Sequence, residues 1–464
     1  MKKFYNRKNE LAFLNKHFII AKNNLITEAI SGRRRIGKTE LIKKYIENKP
    51  SLYFYVTKKS SQMILNDFSV VLQERFSFLP KEIRSWEDFF NIIFELSKKQ
   101  RLIVVFDEFQ NFCFTDNSVF SILQKKIDEF KKHVKMHLIF IGSIQSLMDK
   151  IFTQKEPLFG RIDNFIYLSG FDFNEIAAIC KDHNIKQINK IFNLYSIFNG
   201  VAKYYDVLEK FNLFTASKEK ILKELFITKD SALYKEGENL LIEEFGPNHK
   251  RYFDILFCLS IGKTKTNEIA NIMQLPVTTI SKYLSVLIQK YKIVEKRNWA
   301  NKFNSKNNRY YLKDYFLQFW FRYVYKNYNK IELGAVKSIL SDFNISFQSH
   351  QGFIFEELTR KMLLKKILEE NILKCNPSSI TNYWDKHNEF DIYWEDKNSL
   401  LIGEIKLNSK AVNAKLINKI NSFTNLKQKD IIKVIVAFDA IHSKPVMNLL
   451  KKYNFHFFSL EDLR

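Results

Sequence analysis

Residues 32–39 read Gly32-Arg33-Arg34-Arg35-Ile36-Gly37-Lys38-Thr39, between an apolar run at 25–30 and a helical stretch at 39–47. Every fixed position of the pattern G-x-x-x-x-G-K-[ST] is met, and few backbones accept it. The two glycines let the chain curl into a nest of N–H groups at a helix N-terminus, where the helix dipole favours an anion. Lys38 is spaced to reach the β and γ phosphates of a nucleotide, and the Thr39 hydroxyl to ligate Mg²⁺. Arg33, Arg34, Arg35 and Ile36 complete the loop, so Gly32 through Thr39 are expected to bind ATP or GTP. A strand that feeds such a loop and then a helix commits this part of the chain to a parallel sheet covered on both faces.

A second apolar run, 102–106, ends in Asp107 and Glu108. Asp107 is expected to hold Mg²⁺, directly or through water, and Glu108 to polarise the attacking water, which favours hydrolysis over binding alone. Further β-rich runs at 52–56, 138–141 and 165–168 alternate with helical stretches, so residues 1–170 read as a P-loop core. At 464 residues the chain is too long for one core. Residues 171–245 carry apolar residues at helical spacing and read as a helical lid. The remainder divides into a helix-turn-helix with hairpin (246–312), a helical linker (313–345) and a second α/β domain (346–464).

Several stretches together resemble the archaeal-type ATPases, P-loop proteins of the AAA+ and STAND lineage. They are Phe4-Tyr5-Asn6-Arg7-Lys8-Asn9-Glu10-Leu11, the glycine loop, Asp107-Glu108-Phe109-Gln110, Ile139-Phe140-Ile141-Gly142-Ser143 and Pro157-Leu158-Phe159-Gly160-Arg161. The resemblance covers roughly residues 1–235. It implies that the stretch beginning at Arg7 contacts adenine and that Ser143 senses the γ-phosphate. Arg161 is either an arginine finger or sensor, or a salt bridge that secures the lid. Self-association through the ATPase domain is a further expectation. One stretch departs from the family: where Gly-Gly-x-Pro-Arg-Tyr is usual, this chain has Asn199-Gly200-Val201-Ala202-Lys203-Tyr204, which puts a lid arginine in question.

In the middle segment, a short helix opens with Thr266 as its cap and is broken at Gln274-Leu275-Pro276. A second helix from Val277 carries Ile280, Leu284 and Leu287 on one stripe. Helix, turn, helix and then a polar hairpin at 293–312 read as a winged helix-turn-helix. Its expected DNA-binding residues are Thr278, Thr279, Ser281, Lys282 and Ser285 on the second helix, with Lys302, Lys306 and Arg309 at the wing. Such modules also pack against their ATPase or mediate assembly.

Near the C-terminus, Glu389-Phe390-Asp391-Ile392-Tyr393-Trp394 and Leu400-Leu401-Ile402-Gly403-Glu404-Ile405-Lys406-Leu407 read as two strands of a hairpin. The strand period of two puts Glu404 and Lys406 on one face, and Asp391 lies on the preceding strand. Two carboxylates to hold Mg²⁺ and a lysine to orient water or steady charge are what metal-assisted phosphodiester hydrolysis requires. The pattern looks like the PD-(D/E)XK, restriction-endonuclease-like core, and Glu356 resembles its upstream helix glutamate, a third metal ligand. A nuclease-like domain of this kind is the usual C-terminal partner in the resembled family.

The chain holds 74 Lys and Arg against 50 Asp and Glu, a net charge of +24 that favours polyanions. Lys, Asn, Ile and Phe are also what an AT-rich genome encodes, which raises charge without a functional cause. No window reaches the length of a membrane span, and the four cysteines have no paired spacing, so a cytoplasmic protein without disulfides or zinc is expected. The combined reading is an α/β multidomain ATPase acting on DNA, with ATP and Mg²⁺ as cofactors and a C-terminal domain that cleaves phosphodiesters. The alternative is a nucleotide-switched DNA-binding or signalling protein with no cleavage activity.

Overall fold

The structure, a computed structural model, describes residues 3–246, 249–298, 307–424 and 429–464. It divides into two compact units, Met1–Ile179 with Gly200–Phe214, and Cys180–Asn199 with Thr215–Arg464.

The first unit is built on five strands: β1 (Leu25–Gly32), β2 (Ser51–Tyr55), β3 (Leu102–Asp107), β4 (Met136–Gly142) and β5 (Asn164–Leu168). All pairings are parallel, in the order β2-β3-β4-β1-β5. Alternate residues of β3 explain why its apolar run is continuous rather than periodic. Leu102, Val104 and Phe106 enter the core on one face, while Ile103 and Val105 meet Leu41, Ile42 and Tyr45 of helix Lys38–Ile46 on the other. The sheet is thus buried on both sides, as parallel sheets are. With Ser31 opposite Gly142 and Phe106 opposite Phe140, the C-terminal ends of β1, β3 and β4 finish level. That edge holds the glycine loop, Asp107-Glu108 and Ser143 together.

The second unit contains helices His249–Ser260, Thr266–Met273 and Val277–Gln289, followed by an antiparallel pair, β6 (Val294–Arg297) and β7 (Arg309–Leu312). Lys265, not Thr266, is the cap residue of the middle helix; its amide is satisfied by the Glu268 carboxylate at 3.2 Å. The 35-residue helix Val336–Glu370 runs without a break through 345–346, where the sequence suggested a domain boundary. Beyond it come β8 (Thr381–Trp384), β9 (Glu389–Glu395), β10 (Ser399–Lys406), β11 (Asp430–Ala437) and β12 (Phe455–Ser459). Their order is β12-β11-β10-β9-β8: β8, β9 and β10 run antiparallel, whereas β10, β11 and β12 run parallel. One face of this sheet buries Phe390, Leu400, Ile402 and Ile435 with Ile417 and Ile420 of helix Ala414–Thr424 and Leu450 of helix Lys444–Lys452.

Candidate functional site

The glycine loop leaves β1 at Gly32, where a Cβ would run into the Leu168 carbonyl of β5. It turns into the helix at Gly37, whose φ of 94° is a left-handed conformation that suits glycine. Lys38 is buried, and its Nζ donates to the Gly32 and Arg33 carbonyls at 2.7 and 2.8 Å, so the ammonium lies within the curl of the loop. The Thr39 hydroxyl donates to Asp107 Oδ2 at 2.9 Å, which brings the two expected Mg²⁺ ligands together across 68 residues of sequence. Hard oxygen donors beside a helix N-terminus fit Mg²⁺ and a phosphate chain. Thr39 and Asp107 would hold Mg²⁺, whose positive charge would offset the charge developing during phosphoryl transfer.

Two residues to which the sequence assigned no role complete this edge. Tyr53, on β2, donates its hydroxyl to Asp107 Oδ2; burial and then the Asp107 charge hold that phenol well above its usual range. Gln110, fully buried, donates its amide to Glu108 Oε2, while Ser143 donates to Glu108 Oε1 at 2.6 Å. Glu108 itself adopts a left-handed backbone, φ 55°, and its amide donates to Asp107 Oδ1 at 2.8 Å. Both oxygens of the Glu108 carboxylate are therefore held, one by Ser143 and one by Gln110. Arg34 lies 4.0 Å from Glu108 Oε2.

Arg7 is buried beside the loop rather than open to it. Its guanidinium donates to the Ile36 carbonyl at 3.2 Å and the Ser169 carbonyl at 2.6 Å, and lies over the Phe171 ring. The segment that departs from the family pattern is placed at the same loop. The Lys203 amide donates to the Arg35 carbonyl at 3.2 Å, and Tyr204 is buried close to the charges of Arg33 and Arg35.

Arg161 is not brought to the loop. Its carbonyl accepts from Thr27 near the start of β1, five residues or about 16 Å along the strand from Gly32. Its guanidinium forms a two-pronged pair with Asp128 at 3.0 and 3.3 Å. Of the readings expected for Arg161, the salt bridge is the one seen here, its partner being Asp128; Thr27 and Asp128 tie it to the end of the sheet opposite the loop.

In the second unit, Asp391 on β9 and Glu404 and Lys406 on β10 converge. Lys406 Nζ lies 3.0 Å from Asp391 Oδ2 and 2.5 Å from Glu404 Oε2. The Ile405 amide also donates to Asp391 Oδ2, at 3.0 Å. Lys419, from helix Ala414–Thr424, was not anticipated; it donates to Glu404 Oε1 at 3.1 Å and to the Glu389 carbonyl at 2.6 Å. Burial works to raise the Asp391 carboxyl, but the Lys406 charge and the hydrogen bonds outweigh it and hold the group below its usual range. Burial and then the Asp391 charge push Glu404 up to about 7 and Glu356 up to about 8.

A metal ion here would use the Asp391 and Glu404 carboxylates, which fit a hard cation once Lys406 moves off them. Among the described residues no group of three or more His, Cys, Asp or Glu side chains is arranged to hold a metal. Glu356, expected as a third ligand, is thus not brought into such a group with Asp391 and Glu404.

Of the expected DNA-binding residues, Thr278, Ser281 and Lys282 are exposed on helix Val277–Gln289, and Thr279 and Ser285 are half-buried. Arg309 is corrected. It pairs with Glu389 Oε1 at 2.5 Å and lies over the Trp384 ring at 4.6 Å, so it faces the protein rather than solvent. Lys302 and Lys306 lie outside the described residues. Among the described residues, no helix is long and apolar enough to cross a membrane.

Comparison with known proteins agrees with this geometry. Residues 4–205 match a family described as an ATPase domain predominantly from Archaea, and residues 320–420 match archaeal and bacterial proteins of unknown function. The uncharacterized protein MJECL04 of Methanocaldococcus jannaschii is 29% identical over 411 residues, 87% of each chain. The uncharacterized ATP-binding protein MJ0423 of the same organism is 56% identical over 46 residues, 10% of this chain and 75% of that protein. Among solved structures, the Walker-type ATPase paby2304 of Pyrococcus abyssi shares the fold with a TM-score of 0.54 at 17% identity, over 69% of this chain and 97% of that one. Residues 4–205 thus match the ATPase family found predominantly in Archaea, and the chain is a P-loop ATPase whose cofactors are ATP and Mg²⁺.

Proposed function

We propose that ATP turnover in the first unit governs how the second unit engages DNA, and that Asp391, Glu404 and Lys406 cleave phosphodiesters with a divalent metal. The convergence of two carboxylates and a lysine on adjoining strands carries this reading. The carboxylates would hold the metal, and Lys406, released from them, would orient water or steady the charge on the phosphorus. The sheet supports it, since an antiparallel β8-β9-β10 continued by parallel β11 and β12 is the arrangement expected of a restriction-endonuclease-like core. The helix pair with its hairpin supports a winged helix-turn-helix in which Thr278, Ser281 and Lys282 meet DNA. A net charge of +24 suits the same partner. Self-association through the ATPase unit belongs to this proposal, with Arg161, held away from the loop of its own chain, as the candidate to meet the nucleotide of a neighbouring copy.

One observation favours a second reading, a nucleotide-switched DNA-binding protein that does not cut. Lys406 and Lys419 already neutralise Glu404, so the cluster is complete as an ion-pair network. Plasmid and linear DNA incubated with Mg²⁺ or Mn²⁺, with and without ATP, separate the two. Metal-dependent cutting lost in both Asp391→Ala and Glu404→Ala supports the first; no cutting of duplex, single-stranded DNA or RNA by the wild type leaves the second.

A further inference from the structure

We infer that the β6–β7 hairpin is a positioning element for the carboxylate site, with Arg297 acting through Glu357 and Arg360 on the backbone of Asp391. This rests on the proposal that Asp391 and Glu404 form a metal-assisted cleavage site, and adds what holds that site in place.

Arg297 ends β6, and its side chain is only 10% exposed. It pairs with Glu357 Oε1 at 2.7 Å and stacks over the Tyr311 ring, 4.4 Å from the centroid. The same Glu357 oxygen accepts from Arg360 one helical turn on, and Arg360 donates with its other arm to the Asp391 carbonyl at 2.7 Å. A continuous path of charge-assisted hydrogen bonds therefore joins the hairpin to the strand that carries the first carboxylate. A second, independent path runs from β7. Arg309 pairs with Glu389, two residues before Asp391, and Tyr311 stacks on Phe353, three residues before Glu356. The Trp384 indole closes the contact by donating to the Asn307 carbonyl at 3.3 Å.

Both hairpin arginines thus terminate beside site residues. An Arg–Glu–Arg triad with so little exposure does not give way singly, because removing one member strands a charge in a poorly solvated place. The Asp391 side chain is fixed from within the site by Lys406 and the Ile405 amide, and its main chain is fixed from outside by Arg360. The hairpin follows helix Val277–Gln289 after four residues, and that helix presents Thr278, Ser281 and Lys282 to solvent. The hairpin that holds Asp391 from outside therefore lies four residues from the helix proposed to meet DNA.

The test compares full-length wild type, Arg297→Met, Arg297→Lys and the pair Arg309→Glu with and without Glu389→Arg. Three quantities are read: Mn²⁺-dependent plasmid cleavage, hydrogen–deuterium exchange of peptides covering 389–406, and ATPase rate. Arg297→Met should lower cleavage by roughly tenfold or more, the cost of misplacing a reacting group by a fraction of an ångström to 1 Å. It should also speed exchange across 389–406 and leave ATPase unchanged, while Arg297→Lys recovers part of both losses. Should Arg297→Met not fold, the charge swap decides: Arg309→Glu speeds exchange and Glu389→Arg in the same chain restores it. Cleavage and exchange equal to wild type in Arg297→Met, or in Arg309→Glu, overturn the inference and leave the cleavage site standing. A wild type that cuts nothing, with exchange still altered in the variants, sinks the cleavage proposal and retains the positioning.

Discussion

Replacing Gln110 with Met isolates the contribution of one hydrogen bond to ATP hydrolysis. Gln110 is fully buried at the end of β3, and a Cβ on Gly142 of β4 would come within 2.6 Å of its Oε1. Its amide donates to Glu108 Oε2, whereas its own Oε1 is buried with no hydrogen-bond partner. Met has a similar length and volume and removes both atoms. Losing a donor to an ionised carboxylate forfeits about 1.5–3 kcal/mol, while removing the unsatisfied Oε1 returns about 1–3 kcal/mol. The two nearly cancel in stability, so the melting temperature should stay within a few degrees of wild type. They do not cancel in rate. Ser143 and the more distant Arg34 then hold Glu108, and a loss of about 1.5–3 kcal/mol in the transition state lowers kcat by roughly 10- to 150-fold. Nucleotide affinity should be unaffected, because Lys38 and the loop amides are untouched. Phosphate release as a function of ATP concentration and titration with a fluorescent nucleotide separate the two quantities. In a Glu108→Gln background the same substitution should change nothing further, since residues acting as a unit are not additive. A kcat within about twofold of wild type in a well-folded Gln110→Met protein would falsify the view that Gln110 orients Glu108.

Three further outcomes are expected. Lys38→Ala should abolish nucleotide binding, whereas Glu108→Gln should bind ATP and fail to turn it over; equal ATPase rates in Glu108→Gln and wild type remove Glu108 from the chemistry. Glu356 and Glu404 are raised from 4.5 to about 8 and about 7, so the stability they lend is complete below about pH 4.5 and is lost as pH rises through 7 and 8. Glu356→Gln should flatten that loss and gain about 1–3 kcal/mol at pH 8; melting curves at pH 5 and 8 that shift in parallel for both proteins refute the assignment. Alanine at Thr278, Ser281 and Lys282 together should weaken duplex binding and reduce the slope of log K against log salt by about 0.9, one phosphate contact. An unchanged slope moves the DNA contact off this helix.

The ATPase half was legible because its chemistry is written in backbone requirements. Gly37 sits at a left-handed φ and Gly32 against a neighbouring carbonyl, so a pattern of spacings reports a conformation directly. The strands were legible because a strand buried on both faces must be apolar at every position, as residues 102–106 are. Tyr53 left no such trace. It reaches Asp107 only because β2 lies beside β3 with Tyr53 opposite Val105, and nothing in a single sequence states strand order. Arg161 was left between two roles for the opposite reason: its motif was visible, but the Thr27 contact that turns it to the far end of β1 spans 134 residues.

The hairpin shows where charge stops being informative. Arg297 and Arg309 on a polar hairpin look the same in sequence whether they face phosphate or carboxylate, and the pattern of a wing favoured phosphate. Their partners, Glu357 and Glu389, lie 60 and 80 residues on, and each stands beside a residue singled out for other chemistry. Arginine in a half-buried place needs a carboxylate more than an exposed one does, because an unpaired charge there has lost its water. The long helix Val336–Glu370 and β9 supply those carboxylates, and they also supply Glu356 and Asp391. The same two elements therefore serve the carboxylate cluster and the docking of the hairpin. A substitution chosen to weaken DNA contact at Arg309 would then disturb the carboxylate strand instead, and its effect on cleavage should exceed its effect on DNA affinity.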